Sequence, residues 1–211
     1  YQDKVRDWKD SMAALESAAR EPIAPQYLAH LLDVLATDDA ILTCDSGTIA
    51  TWAARHWHIR GNREFYLSGT LATMAPGLPY ALGIQHAYPG RQVIAFVGDG
   101  GFAHSWAELE TLVRHDIGVT VIVLNNGVLG FQKDAETVKF GRYTSACHFA
   151  AVDHAAIAKA CGCRSVRVET ADALHPAINE ALASGAPWLI DVVTDPKAFP
   201  PLSLFEGKPA A

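Results

Sequence analysis

The chain has 211 residues, half of them apolar and 19% charged, with a formal net charge of −6 and no cluster of Lys or Arg. That length suffices for one substantial α/β core. No apolar run nears the roughly 20 residues of a membrane helix, and the acidic balance argues against a nucleic-acid groove. Four cysteines (Cys44, Cys147, Cys161, Cys163) form no CxxC pair and read as reduced, mostly buried thiols of a cytoplasmic protein. The chain opens at Tyr1 without an initiator Met, so the expectation is that it follows, or was cut from, something longer.

In chain order, YQDKVRDWKDSMAALESAAR places Val5, Trp8, Met12 and Leu15 three to four residues apart, which predicts an amphipathic helix ending before Pro22. Pro25 opens a second helix, PQYLAHLLDVLA, followed by the strand AILTCD and the turn Ser46-Gly47-Thr48. A helix through TWAARHWH and a short strand near EFYLS lead to the small-residue loop GTLATMAPG, then to the helix LPYALGIQHAYPG, stopped by Pro89-Gly90. The strand RQVIAFV, the helix SWAELETLVRHD and the strand VTVIVL come next. Two further units close the pattern: DHAAIAKACG with SVRVE, and ALHPAINEALASG with WLIDVV. Continuous β-branched runs alternating with helical patterns predict an α/β fold, a doubly wound, mostly parallel sheet with helices on both faces. The expected organisation is a linker helix over 1–24, one domain over 25–200 and a C-terminal tail over 201–211.

Ligands of doubly wound sheets bind at the carboxyl ends of strands. There the chain concentrates its unusual turns: Asp45-Ser46-Gly47-Thr48, Gly98-Asp99-Gly100-Gly101 and Asn125-Asn126-Gly127. A glycine-rich turn opening a helix offers backbone N–H groups to an anion, typically a phosphate. Asp99 would repel a bare phosphate, and a divalent cation between them removes the conflict. Mg²⁺ prefers a carboxylate, carbonyls or waters, and phosphate oxygens, so Asp99 and the amide oxygen of Asn126 suit it. One right-handed crossover helix returns the chain from the first turn to the same end of the sheet. GDGG and NNG are each ordinary turn sequences; their pairing across one complete βαβ unit is what points to a site. The dinucleotide and P-loop fingerprints are both absent.

In their setting, FVGDGGF and VLNNGVLGF, these turns resemble the thiamine diphosphate motif in the C-terminal domain of the pyruvate oxidase and acetolactate synthase family. The likeness runs from about residue 1 to Pro200-Pro201. It implies the thiamine-diphosphate-binding fold over residues 25–200, with thiamine diphosphate and Mg²⁺ as cofactors. Carried onto this chain, it makes Asp99, the side-chain oxygen of Asn126 and the backbone carbonyl of Val128 the metal ligands. Gly98, Asp99, Gly100, Gly101 and Phe102 form the diphosphate turn, Gly101 and Phe102 giving N–H groups, and Ser46, Gly47 and Thr48 match the other diphosphate-side loop. The Ala72 carbonyl and the Met74 backbone would hold the aminopyrimidine. The Met74 side chain would prop the cofactor in a V shape that brings its 4′-amino group to the thiazolium C2–H. Without the resemblance, Met74 reads as ordinary core filler.

Phe131 and Gln132 are the candidates for contact with substrate, although Phe131 could equally be packing. His104 reads as a solvated or interface residue rather than a substrate contact, and His56, His58, His148 and His154 carry no metal-site pattern.

The implied chemistry is decarboxylation of a small 2-oxo acid such as pyruvate and transfer of the two-carbon acyl unit, acetolactate synthase-like. Departures keep other readings open. Where some oxidases carry a glutamate this chain has Ala135, with Glu136 beside it, and the tryptophan of acetolactate synthases is missing. An FAD-linked pyruvate oxidase or a non-oxidative 2-oxo acid decarboxylase therefore remains an alternative, and a non-catalytic cofactor-binding module is one of another class. In this family the activating glutamate lies on a separate pyrimidine-binding domain, and FAD, where used, on a middle domain. The chain is therefore expected to be a split subunit or a fragment, working in a homo- or hetero-oligomer whose partner domain supplies the glutamate. The loop at 69–79 is expected to join that contact.

Overall fold

A computed structural model describes residues 2–16, 20–198 and 200. The expected tail, 201–211, lies outside these residues, as does 17–19 at the end of the first predicted helix. The elements run α1 (Gln2–Glu16), α2 (Pro25–Leu35), β1 (Ile41–Cys44), α3 (Thr48–His56), β2 (Glu64–Tyr66), α4 (Gly77–Ala87) and β3 (Val93–Gly98). They continue with α5 (Asp99–Phe102), α6 (Glu108–Arg114), β4 (Thr120–Asn125), α7 (Gly130–Phe140), α8 (His154–Ala160), β5 (Arg164–Val168), α9 (Ala171–Ser184) and β6 (Trp188–Val193).

All six strands are parallel, in the order β2-β1-β3-β4-β6-β5. Every strand but the two edge strands is buried on both faces, which is why these segments are continuously apolar rather than alternating. Successive residues serve opposite layers. Leu42, Cys44, Ile94, Phe96, Ile122 and Ile190 face the core beneath α2, α3 and α9. Ile41, Val93, Ala95, Val97, Val121 and Leu189 face the other, beneath α4, α6 and α8. The doubly wound sheet with helices on both faces is thus the fold of the chain.

From β1 the chain moves outward to β2, then returns past β1 to β3, so the winding direction reverses between β1 and β3. A crevice opens at such a switch point because the two crossover helices leave on opposite faces. The register sets Cys44 beside Phe96 and Gly98 beside Leu124, so the segments following β1, β3 and β4 emerge at one end of the sheet.

Local differences from the sequence reading have physical causes. Only Met12 of the α1 stripe is buried, while Val5, Trp8 and Leu15 stay exposed; the helix packs on α2, and its Glu16 reaches His56 of α3 at 2.8 Å. Ile23 is fully buried and bridges Thr194, so the strand-side core begins just before Pro25. The expected helix from Ser105 starts at Glu108, because residues 103–107 wind as turns, Trp106 N–H donating to the Phe102 carbonyl at 2.9 Å. The end of α2 is closed by the buried Arg63 side chain, which donates to the Thr37 carbonyl at 2.8 Å, the Asp33 carbonyl at 2.9 Å and the Asp33 carboxylate at 2.7 Å.

Candidate cofactor site

The tips of β3 and β4 are joined through one carboxylate. Gly98 ends β3 in extended conformation and Asp99 begins the single turn of α5, with 6% of its surface exposed. Its Oδ1 accepts the Gly100 N–H at 2.8 Å and its Oδ2 the Gly127 N–H at 2.7 Å. On the β4 side, the Asn126 side-chain oxygen accepts the Val128 N–H at 3.0 Å, and Gly127 has φ 67°, a left-handed turn suited to glycine. Leu129 N–H donates to the Cys147 carbonyl and Phe149 N–H to the Gly127 carbonyl. These bonds flank the antiparallel Val128–His148 bridge, so the Val128 carbonyl turns away from the 145–149 segment. Gly100 is needed by contact: a Cβ there would lie 2.8 Å from Leu129 Cδ2 and 3.0 Å from Phe149 Cζ.

The tip of β1 meets the same turn. Asp45 is 1% exposed, and its Oδ1 accepts the Gly77 N–H at 2.8 Å. A Cβ on Gly101 would stand 2.1 Å from Asp45 Oδ2, an oxygen that has no hydrogen-bond partner. Gly47 has φ 118° and lets the chain turn into α3, which opens at Thr48 without a side-chain cap. First-turn N–H groups of α3 thus remain for an anion. Ser46 Oγ is buried there without a partner. A Cβ on Gly130, where α7 begins, would lie 3.3 Å from Thr48 Cγ2 and 3.8 Å from Asn126 Nδ2, so the predicted β1 and β4 residues share one corner.

Between β2 and α4 runs the predicted small-residue loop. Ala72 (φ 53°) and Ala75 (φ 80°) both hold left-handed backbone, which costs an alanine about 1 kcal/mol or more. Ala72 N–H donates to the Ser68 carbonyl at 3.0 Å, and Thr73 Oγ1 to the Met74 carbonyl at 3.0 Å. Met74 is 37% exposed, hence no core filler, and Leu71 is 83% exposed. The Phe102 side chain is wholly buried, edge-on to His154 with ring centroids 5.4 Å apart. Only its backbone is then available to a ligand. Phe131 is 54% exposed, so it is not a packing residue of this chain. Gln132 Nε2 donates to Glu136 Oε1 at 2.9 Å, engaging its amide on its own helix.

Burial pushes Asp99 up to about 6, against the opposing N–H groups of Gly127, Gly100 and Asn126. It likewise pushes Asp45 up to about 6, opposed by the amide of Gly77 and by His104. Neither takes part in an ion pair among the described residues. No cluster of three His, Cys, Asp or Glu there could hold a metal. A cation would thus need mixed oxygen ligands. One buried carboxylate, one carboxamide and one carbonyl at Asp99, Asn126 and Val128 fit a hard dication completed by phosphate and water. The orphaned Ser46 hydroxyl and the uncapped α3 start fit the anion beside it. Reading the sequence placed Asp45 in a strand-tip turn but gave it no role, and it missed Gly77. The available signal was the symmetry of an acid at the tip of β1 with the acid at the tip of β3.

Fold and strand-tip turns together define an α/β cofactor domain of the diphosphate-binding kind. Residues 45–192 match the family described as "Thiamine pyrophosphate enzyme, C-terminal TPP binding domain", and the chain belongs to that family. It is 38% identical over 191 residues, 90% of this chain and 33% of the relative, to YdaP of Bacillus subtilis (strain 168), described as thiamine pyrophosphate-containing. It is 31% identical to the mitochondrial acetolactate synthase catalytic subunit of Saccharomyces cerevisiae, over 97% of this chain and 30% of that protein. Among solved structures, the Rhodococcus jostii RHA1 thiamine diphosphate-dependent 4-hydroxybenzoylformate decarboxylase superposes with a TM-score of 0.78 at 29% identity, covering 84% of this chain and 34% of the other. The chain thus spans about a third of the length of these relatives. Among the described residues no helix is long and apolar enough to cross a membrane.

Proposed function

We propose that this chain is the cofactor-binding part of a thiamine diphosphate-dependent enzyme that decarboxylates a small 2-oxo acid such as pyruvate and transfers the two-carbon unit to an acceptor. The supporting observation is the junction of the β3 and β4 tips through Asp99, in a chain whose relatives include acetolactate synthases. Thiamine diphosphate, when bound, supplies the carbon nucleophile and the electron sink for loss of CO₂. The chain's own residues bind and orient. Asp99, Asn126 and the Val128 carbonyl would hold Mg²⁺. The Gly100–Phe102 amides and the Ser46–Thr48 turn would hold the diphosphate. The loop carrying Ala72 and Met74 would fix the aminopyrimidine, its backbone strain sustained by the fold.

Activation is assigned to a glutamate on a pyrimidine-binding domain, in a partner chain or another segment, so the working enzyme is an oligomer or a longer polypeptide. A second reading, a non-oxidative decarboxylase, is favoured by the similarity to the 4-hydroxybenzoylformate decarboxylase. The test combines this chain, thiamine diphosphate and Mg²⁺ with and without a chain carrying the pyrimidine-binding domain, and follows CO₂ and product from pyruvate. Turnover confined to the mixture, with acetolactate as product, is expected. Release of acetaldehyde alone would favour the decarboxylase, and cofactor binding without turnover in both samples would reduce the chain to a binding module.

A further inference from the structure

Asp45 stands between the two segments assigned to opposite ends of the cofactor, and no role above uses it. Its carboxylate is 1% exposed. One oxygen takes the Gly77 N–H at 2.8 Å, at the end of the loop that carries Met74. The other lies so close to Gly101 that a Cβ there would stand 2.1 Å away, which leaves room for glycine alone. Gly77 is tight for a related reason: a Cβ there would meet Val97 Cγ1 at 2.7 Å and Asp45 Oδ1 at 3.1 Å. Two glycine backbones thus close on one side chain, from the aminopyrimidine loop on one side and from the diphosphate turn on the other.

We infer that Asp45 is a positioning residue, a wedge whose shape sets the separation between the loop ending at Gly77 and the Gly100-Gly101 turn. The inference rests on the cofactor reading above. It separates a ligand spanning both segments from one that touches a single segment. Thiamine diphosphate reaches from turn to loop, whereas inorganic pyrophosphate occupies the turn only. Misplacing the loop relative to the turn should therefore weaken the first and spare the second. Asparagine preserves the shape and the Gly77 hydrogen bond; alanine preserves neither. Gly77→Ala leaves Asp45 and the turn in place but displaces the loop, because its Cβ would meet Val97 Cγ1 and Asp45 Oδ1.

The intact protein, in the assembly in which it purifies, is titrated calorimetrically with thiamine diphosphate and separately with inorganic pyrophosphate, both with Mg²⁺. For Asp45→Ala and Gly77→Ala, the thiamine diphosphate dissociation constant is expected to rise by about tenfold to a hundredfold. That of pyrophosphate should stay within about twofold of the parent, a change under half a kcal/mol. Asp45→Asn should restore the parent's affinity for both. Should Asp45→Ala fail to fold, Gly77→Ala carries the test. If the parent binds no thiamine diphosphate, the cofactor reading itself fails. If the parent binds it and the variants match the parent, lose both ligands equally, or are not rescued by asparagine, the wedge is overturned.

Discussion

Asp45 and Asp99 are each carboxylates that folding moves from water into a site with amide donors but no cationic side chain paired to them. Burial raises Asp45 from 3.8 to about 6. The folded state then retains a proton, between about pH 4 and 6, that the unfolded state releases. Stability from this group is present at low pH and is lost as pH rises through that window, the reverse of a salt-bridged carboxylate. The full displacement is worth on the order of 3 kcal/mol. Asp45→Asn should accordingly gain stability over the parent as pH climbs from 4.5 to 7, in urea melts of the cofactor-free protein. A pH-independent difference would contradict the burial argument. Asp99 was legible in the sequence because an acid between glycines after an apolar run is chemically odd there. Asp45 was legible as part of a strand-tip turn but its role was not, because its tight contact is with Gly101, on a different strand tip.

At the scale of elements, α7 shows how a helix that buries no residue in this chain is still held. Glu136 accepts the Thr144 N–H at 2.7 Å and the Thr144 hydroxyl at 3.2 Å, with Gln132 on its other oxygen, and so fastens the helix to the return segment that pairs with Val128. Glu136→Ala should speed hydrogen exchange across residues 141–148. The global melting temperature should stay within about 2 °C, since Glu136 is only half-buried on a helix that contributes no buried residue. Unaltered exchange would show that the carboxylate does not anchor the segment. The sequence marked Phe131 and Gln132 as a pair. The structure separates them: the ring is free at the surface and the amide is occupied by Glu136. Side-chain partners one helical turn away compete for such amides, and residue type alone does not reveal the winner.

For the whole molecule, the carboxyl end of the sheet combines the candidate site with exposed Leu71, Met74, Trp106 and Phe131. In the proposed assembly a pyrimidine-binding domain covers this rim. Leu71→Asp should weaken that association, seen as dissociation in sedimentation experiments, while leaving the melting temperature within about 2 °C because Leu71 is 83% exposed. An unchanged assembly would remove the loop from the contact.

The sequence alone determined the layered fold and the diphosphate-type turns, because burial on both faces of a strand and the need for glycine at a strand tip leave marks within a few neighbouring residues. Only the tertiary structure decided that the winding reverses between β1 and β3, that Asp45 lies between Gly77 and Gly101, and that Ala72 and Ala75 take left-handed backbone. Those features arise from contacts between distant segments, which the periodicity of a chain does not encode.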